Sequence, residues 1–230
     1  MPSKILDMKF LTDRPDSLTD KAYRELEERI VTLGLVPGQV LSETALSVQL
    51  EIGRTPIREA LQRLAREGLV VILPRKGILV SEINPGKQLL VLEVRRELER
   101  LLARSGAVRR TEEERDGFLE IAAGMERAAS NNDGIEFMRY DSAFHNLIAA
   151  TSHNEYAIRA IGLMNSLSRR FWYVHYKVSA DLPHCARLHA VVARCIADGE
   201  SDAAADAADK LVDYAEIFTR ATVDSGSLRG

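Results

Sequence analysis

Gly53-Arg54-Thr55-Pro56-Ile57-Arg58-Glu59-Ala60-Leu61 is the stretch from which the rest of the chain can be read. Thr55 suits a helix N-cap, and Pro56 suits the position after it, where no backbone N–H is needed. Ile57, Ala60, Leu61, Leu64 and Ala65 recur at helical spacing and make one apolar face. Arg54 and Arg58 stand one turn apart on the other side. They sit at the helix N-terminal end, where unpaired N–H groups and the positive dipole favour phosphate. Arginine also grips guanine O6 and N7 with two bonds, worth about 1–3 kcal/mol of discrimination. A solvated arginine face on an ordinary helical hairpin is the plainer alternative.

The flanks favour the first reading. Upstream, Ser17 or Thr19 caps a helix beginning near Leu18, whose stripe is Tyr23, Leu26, Ile30 and Leu33 and whose end is Gly34. Pro37-Gly38 marks a turn. Ser42 caps a second helix with Glu43 in its first turn, and Glu51-Ile52-Gly53 makes a tight turn into the third. Downstream, Gly68 closes the third helix. Leu69 to Leu73 and Ile78 to Val80 flank Pro74-Arg75-Lys76-Gly77 as strand, turn and strand. Three helices followed by a β-hairpin is the order of a winged helix-turn-helix. Its wing tip, Lys76-Gly77, joins a cation to a residue small enough for close approach to a DNA backbone or minor groove.

Asn84-Pro85-Gly86 ends this head, and only helical signals follow, over 86–109, 111–131, 134–151, 154–177, 183–198 and 202–222. The expected fold is mainly α. A mobile arm covers 1–16, the winged helix-turn-helix 17–83, an all-helical domain 84–223 and a short tail 224–230. The chain has 230 residues, 46% hydrophobic and 28% charged, the balance of a globular protein with a real core. Net charge is −3, yet Arg54 to Lys76 alone carries +4, so one basic stretch stands in an otherwise acidic chain. No apolar run approaches the roughly 18–20 residues that span a bilayer. Met1 to Asp16 lacks a secretory core, which points to the cytoplasm. Cys185 and Cys195, ten residues apart on one expected helix, are separated by roughly 15 Å, too far for a disulfide.

In the helical part, Asp141 and His145 are four residues apart and share a face with Phe144 and Ile148. His189 has Cys185, Val192 and Ile196 on its own face. Polar groups on apolar faces need partners, and convergence of Asp141, His145 and His189 inside a bundle would suit a metal ion. A surface ion pair and a hydrogen-bonded core histidine are the ordinary alternatives. A metal-dependent hydrolase would use the same three residues, but no base or nucleophile motif accompanies them. A non-catalytic helical interaction protein would leave the arginine-rich third helix and wing unexplained.

Residues 18–83 resemble the DNA-binding domain of the GntR family of bacterial regulators. The matching phrases are Pro37-Gly38, Leu41-Ser42-Glu43, Arg54-Thr55-Pro56-Ile57-Arg58-Glu59-Ala60-Leu61, Leu64, Glu67-Gly68-Leu69 and Gly77. The resemblance implies a transcription factor, not an enzyme, in which Arg54, Thr55, Arg58, Lys76 and Gly77 meet DNA. Ser42 and Thr44 lie beside them at the start of the second helix. Thr44 stands where members often carry arginine, which implies an altered base contact there.

Residues 86–222 resemble the all-helical ligand-binding domain, called FCD, of the FadR-type subgroup. Glu93-Val94-Arg95-Arg96-Glu97-Leu98-Glu99 looks like its opening helix, and Asp141-Ser142-Ala143-Phe144-His145 looks like its Asp-x-x-Phe-His motif. By resemblance, Asp141, His145 and His189 would hold a divalent metal, most often zinc. No histidine follows His189, so Asp213, water or the effector would take the last position. Arg95, with Arg169 and Arg170 behind it, would bind the carboxylate of a small organic-acid effector. The same resemblance implies a homodimer on a palindromic operator of double-stranded DNA, acting as a repressor released by its ligand.

Overall fold

The computed structural model describes residues 17–75, 77–179 and 181–227. The arm expected over 1–16 and the wing residue Lys76 lie outside the described residues. Contacts divide the chain into two compact units. Among the described residues, one is 17–88 together with Gly162–His175; the other is Leu89–Ile161 with the described chain after His175.

The first unit opens with α1 (Leu18–Val31), started by a capping box in which the Ser17 hydroxyl takes the Asp20 N–H while the Asp20 carboxylate returns to Ser17. Next come β1 (Val40–Leu41), α2 (Glu43–Leu50), α3 (Arg54–Arg66), β2 (Val70–Leu73) and β3 (Gly77–Val80). The sheet is antiparallel in the order β1-β3-β2, with Val40 opposite Leu79 and Val71 opposite the same residue from the other side. The hairpin is as expected. The two-residue strand β1 is not, because a pair of residues after a turn carries no period. The α3 helix starts at Arg54 with Gly53 as an N-cap lacking a side-chain bond, so Thr55 is inside the first turn and not at the cap. Pro56 is tolerated there because the first turn's N–H groups have no intrahelical partner. Its core joins Leu26 and Ile30 of α1 to Ile57, Leu61 and Leu64 of α3 and to Leu69 and Val80 of the wing.

The segment Gly162–His175, which the sequence pattern assigns to the helical domain, is part of this unit. Leu167 packs against the head core. Buried Arg170 donates to the Ser81 carbonyl and hydroxyl, both at 3.0 Å, and Gln88 Nε2 donates to the Ser168 hydroxyl at 3.1 Å. The segment belongs to a long helix, α7 (Glu155–Ser179).

The second unit contains α4 (Pro85–Arg109, from Leu89), α5 (Glu112–Asn131), α6 (Gly134–Thr151), α8 (Leu182–Asp198) and α9 (Ser201–Ser227), with the two ends of α7. The Thr111–Glu114 capping box expected at α5 is formed. Helix α9 runs five residues past the expected stop at 222. The α8 helix packs on both α5 and α9, and α5 also packs on α6. Phe118, Ile121, Met125, Phe137, Phe144, Leu147, Val192 and Ile196 fill the space between them. At the α5–α6 crossing Gly124 lies under the Tyr140 ring, so close that a Cβ there would fall 2.2 Å from it. Both cysteines are free, with Cys185 buried.

Candidate functional site

Two sites emerge, one in each unit. In the head, α2, the Glu51–Gly53 turn and α3 form the helix-turn-helix. Glu51 takes a left-handed conformation (φ 54°) that reverses the chain in so few residues. Ser42, Thr44, Arg54, Thr55 and Arg58 are all exposed around the N-terminal ends of α2 and α3. The Ser42 hydroxyl caps α2 by accepting the Ala45 N–H. A residue that sequence reasoning had placed only as a helix-dipole partner organises the cluster. Glu43 accepts from Arg58 Nε at 3.1 Å and Nη2 at 2.8 Å, and its other arginine, Arg54, lies at 4.0 Å. Hydrogen bonding to Arg58, against a smaller opposing effect of burial, holds the Glu43 carboxyl below its usual range. Glu43 therefore aims the Arg58 fork and offsets part of its charge. Gly77 opens β3 at φ +99°, a conformation that a side chain would strain, immediately after the wing turn.

In the second unit the structure brings Asp141 and His145 of α6 and His189 of α8 together. One potential ligand atom from each lies within 4.8 Å of the others. Asp141 Oδ1 stands 3.1 Å from His189 Nε2 and 3.5 Å from His145 Nδ1. Each imidazole is fixed by its own helix: His145 Nδ1 meets the Asp141 carbonyl at 2.9 Å, and His189 Nδ1 meets the Cys185 carbonyl at 2.9 Å. A carbonyl only accepts, so Nδ1 carries a proton in both rings; Nε2 of His145 keeps its lone pair, and Nε2 of His189 faces the Asp141 carboxylate. Phe144 and Phe137 wall the rings edge-on. Burial pushes His145 below the ordinary histidine range, which keeps it neutral. Burial also works against a charged His189, but the neighbouring Cys185 and Asp141 outweigh it, and that ring is held well above the ordinary range. We attribute this chiefly to the Asp141 carboxylate, because burial raises the Cys185 thiol and leaves it neutral. A cation bound here would replace the His189 proton. Two neutral Nε2 atoms and a carboxylate, pinned and shielded, fit a divalent metal with a position left for another ligand.

Two further buried groups of α4 adjoin the cluster. Glu99 Oε1 lies 3.8 Å from His145 Nε2 and accepts from Arg95 Nε at 2.8 Å and also from Arg95 Nη2. Burial would raise the Glu99 carboxyl, but Arg95 and the imidazoles more than reverse this. Arg95 is thus beside the cluster, joined to it through Glu99. The i,i+4 spacing of Glu99 from Arg95 is the sequence signal for this pair. Asp213 is elsewhere. Its half-exposed carboxylate accepts from Arg96 Nη2 at 2.7 Å, and Glu216 shares that guanidinium at 3.0 Å. Arg96 lies a third of a turn around α4 from Arg95, so it reaches the outside of α9. Arg169 is likewise absent from the cluster and pairs with Glu27 and Glu28 of α1.

A helix-turn-helix head joined to a helical body with a buried Asp-His-His cluster defines a ligand-responsive DNA-binding regulator. The comparisons agree. Residues 18–80 match the bacterial regulatory proteins of the gntR family, and residues 90–214 match the FCD domain. The chain belongs to the GntR family of transcriptional regulators and carries an FCD effector-binding domain. It is 29% identical over 170 residues to the Nta operon transcriptional regulator of Aminobacter aminovorans, covering 72% of this chain and 77% of that one. It is also 29% identical over 160 residues to the transcriptional repressor RspR of Escherichia coli K12, covering 69% and 70%. Among solved structures, E. coli McbR/YncC shares the fold with a TM-score of 0.75 at 18% identity, over 91% of this chain and all of that one. These relatives are regulators, so the hydrolase alternative falls away. No helix among the described residues is long and apolar enough to cross a membrane.

Proposed function

We propose that the chain is a cytoplasmic repressor of the FadR subgroup. It binds a palindromic operator as a homodimer and releases it when a small organic acid enters the FCD domain. The Asp141–His145–His189 cluster carries this reading, because His189 Nε2 meets the Asp141 carboxylate, His145 lies against the same carboxylate, and both rings are anchored through Nδ1 to backbone carbonyls. These three residues hold a divalent metal, zinc by donor set, which when bound supplies a Lewis-acidic anchor for a carboxylate. Arg95 gives Glu99 the Nε–Nη2 edge of its guanidinium, and the Nη1 side serves the effector carboxylate. In the head, spanning 17–83, Arg54 and Arg58 read base edges or phosphates. Thr55, Ser42 and Thr44 touch the backbone beside them, and Lys76-Gly77 forms the wing contact.

A thermal-shift screen of metal-analysed protein against small carboxylic acids, with Asp141→Ala beside it, tests this. One acid should raise the melting temperature of the metal-loaded wild type by mass action and weaken its binding to an operator fragment, and the variant should lose metal and response. Metal-free protein that no acid stabilises would refute the sensing site.

A further inference from the structure

We propose that Glu99, on α4, supplies the protein ligand that the Asp141–His145–His189 trio lacks. The inference rests on the metal reading above and changes its ligand set. His145 gives Nδ1 to the Asp141 carbonyl, so Nε2 of the neutral ring is an acceptor, and the atom it faces at 3.8 Å is another acceptor, Glu99 Oε1. Two buried acceptors set against each other are costly unless a cation lies between them. Metal bonds of about 2.0–2.2 Å to an imidazole nitrogen and to a carboxylate oxygen can both be made across such a gap. Glu99 is 6% exposed. Its Oε1 accepts both Arg95 bonds, while its Oε2 has no donor among the described residues, so an oxygen remains for an ion. A ligating carboxylate is ordinarily held from outside the shell by a hydrogen bond, and Arg95 provides it. Glu99 stands beside the trio, whose ligand atoms lie within 4.8 Å of one another, and not inside it. The terminal torsion of a glutamate is broad, and rotation about it brings the carboxylate in. Other donors point elsewhere. Asp213 is held by Arg96, and Cys185 Sγ lies 3.8 Å from His189 Nδ1, the ring nitrogen that does not ligate.

Charge supports this ligand set. With both imidazoles neutral, a divalent ion and the Arg95 guanidinium against the carboxylates of Asp141 and Glu99 leave one net positive charge in a buried place. Buried charge is costly until it is paired, and a monocarboxylate effector pairs it. Four protein ligands give that carboxylate a fifth or sixth position. Two carboxylates beside two imidazoles also make a harder donor set than the trio alone. Ions that accept more than four ligands and favour oxygen, manganese above all, therefore gain on zinc.

Chelator competition on the full chain, with zinc and manganese in turn, tests the assignment. Glu99→Gln keeps the shape of the side chain and an acceptor for Arg95. It is expected to weaken manganese binding by about 100-fold and zinc binding by only about 10-fold, so that the ratio of the two affinities moves. Glu99→His is expected to restore zinc but not manganese. Glu99→Asp keeps the charge but shortens the reach by one methylene, and should lose manganese as Glu99→Gln does; it decides the question even if Glu99→Gln unfolds. The visible spectrum of the cobalt-loaded chain, which reports the ligand set, should change in all three variants. If Glu99 only holds Arg95, both affinities fall by the same factor, the cobalt spectrum stays as in the wild type and histidine rescues nothing. That result overturns the assignment but leaves the three-residue site. A wild type that binds none of the three ions overturns both.

Discussion

Arg169 Nη1 lies 2.8 Å from Glu27 Oε1 and 3.1 Å from Oε2, joining α7 to α1 across 142 residues of sequence. Glu27 is 7% exposed, and Arg169 Nη2 also reaches Glu28 at 3.2 Å. The DNA-binding unit is therefore completed by a segment from the middle of the chain. Arg169→Ala leaves a carboxylate buried without this partner and should cost about 1–3 kcal/mol of stability in urea unfolding. The Arg169→Ala/Glu27→Leu double variant should recover part of that loss. Strictly additive effects would show that the pair contributes nothing.

Removing any one cluster ligand should show in metal binding before it shows in fold. Asp141→Ala, His145→Ala and His189→Ala are each expected to weaken zinc binding by more than about 100-fold in competition with a chromogenic chelator, since even outer-shell changes cost about 10–100-fold. Equal affinity in wild type and His189→Ala would remove that residue from the shell.

The raised His189 gives two pH dependences of opposite sign. In metal-free protein its favourable charge on Asp141 contributes stability that is full below the unfolded histidine value of about 6.5 and is lost as pH rises through the folded value. Zinc must displace that proton, so apparent zinc affinity should climb with pH over the same window. Unfolding of chelator-treated protein from pH 6 to 9, beside calorimetric zinc titrations, should show stability falling while affinity rises. His189→Gln should flatten the first trend.

Glu43 holds the Arg58 guanidinium in place, and the proposed DNA contact of Arg58 can be tested through both residues. Arg58→Ala should lower operator affinity and reduce the slope of log K against log salt by about 0.9 if the contact is to a phosphate. Glu43→Gln should instead raise affinity for random DNA while narrowing the gap to the operator, read by fluorescence anisotropy. An unchanged ratio of specific to random binding would deny Glu43 a positioning role.

A methyl group at Gly124 has no room beneath the Tyr140 ring, whose hydroxyl is held by Arg127 at 2.8 Å. Gly124→Ala should destabilise the helical unit by about 1–3 kcal/mol. Shortening the facing side chain, as Tyr140→Leu, should relieve much of that loss. A neutral Gly124→Ala would mean that α5 and α6 separate at little cost.

Features set by neighbours in the chain were legible without the structure. The α2–turn–α3 arrangement, the wing, the Thr111 cap and the long helices follow from period, caps and turn residues, which act over a few positions. So does the meeting of Asp141 with His145, because one helical turn imposes it. Only packing decided which distant groups meet. It set His189 against Asp141, drew Glu99 and Arg95 beside His145, turned Asp213 outward to Arg96, and gave Arg169 to Glu27. Periodicity tells which face of a helix is buried, but not which other face lies against it. Charged partners far apart in sequence are therefore fixed by the tertiary fold, where desolvation makes each buried ion depend on one particular neighbour.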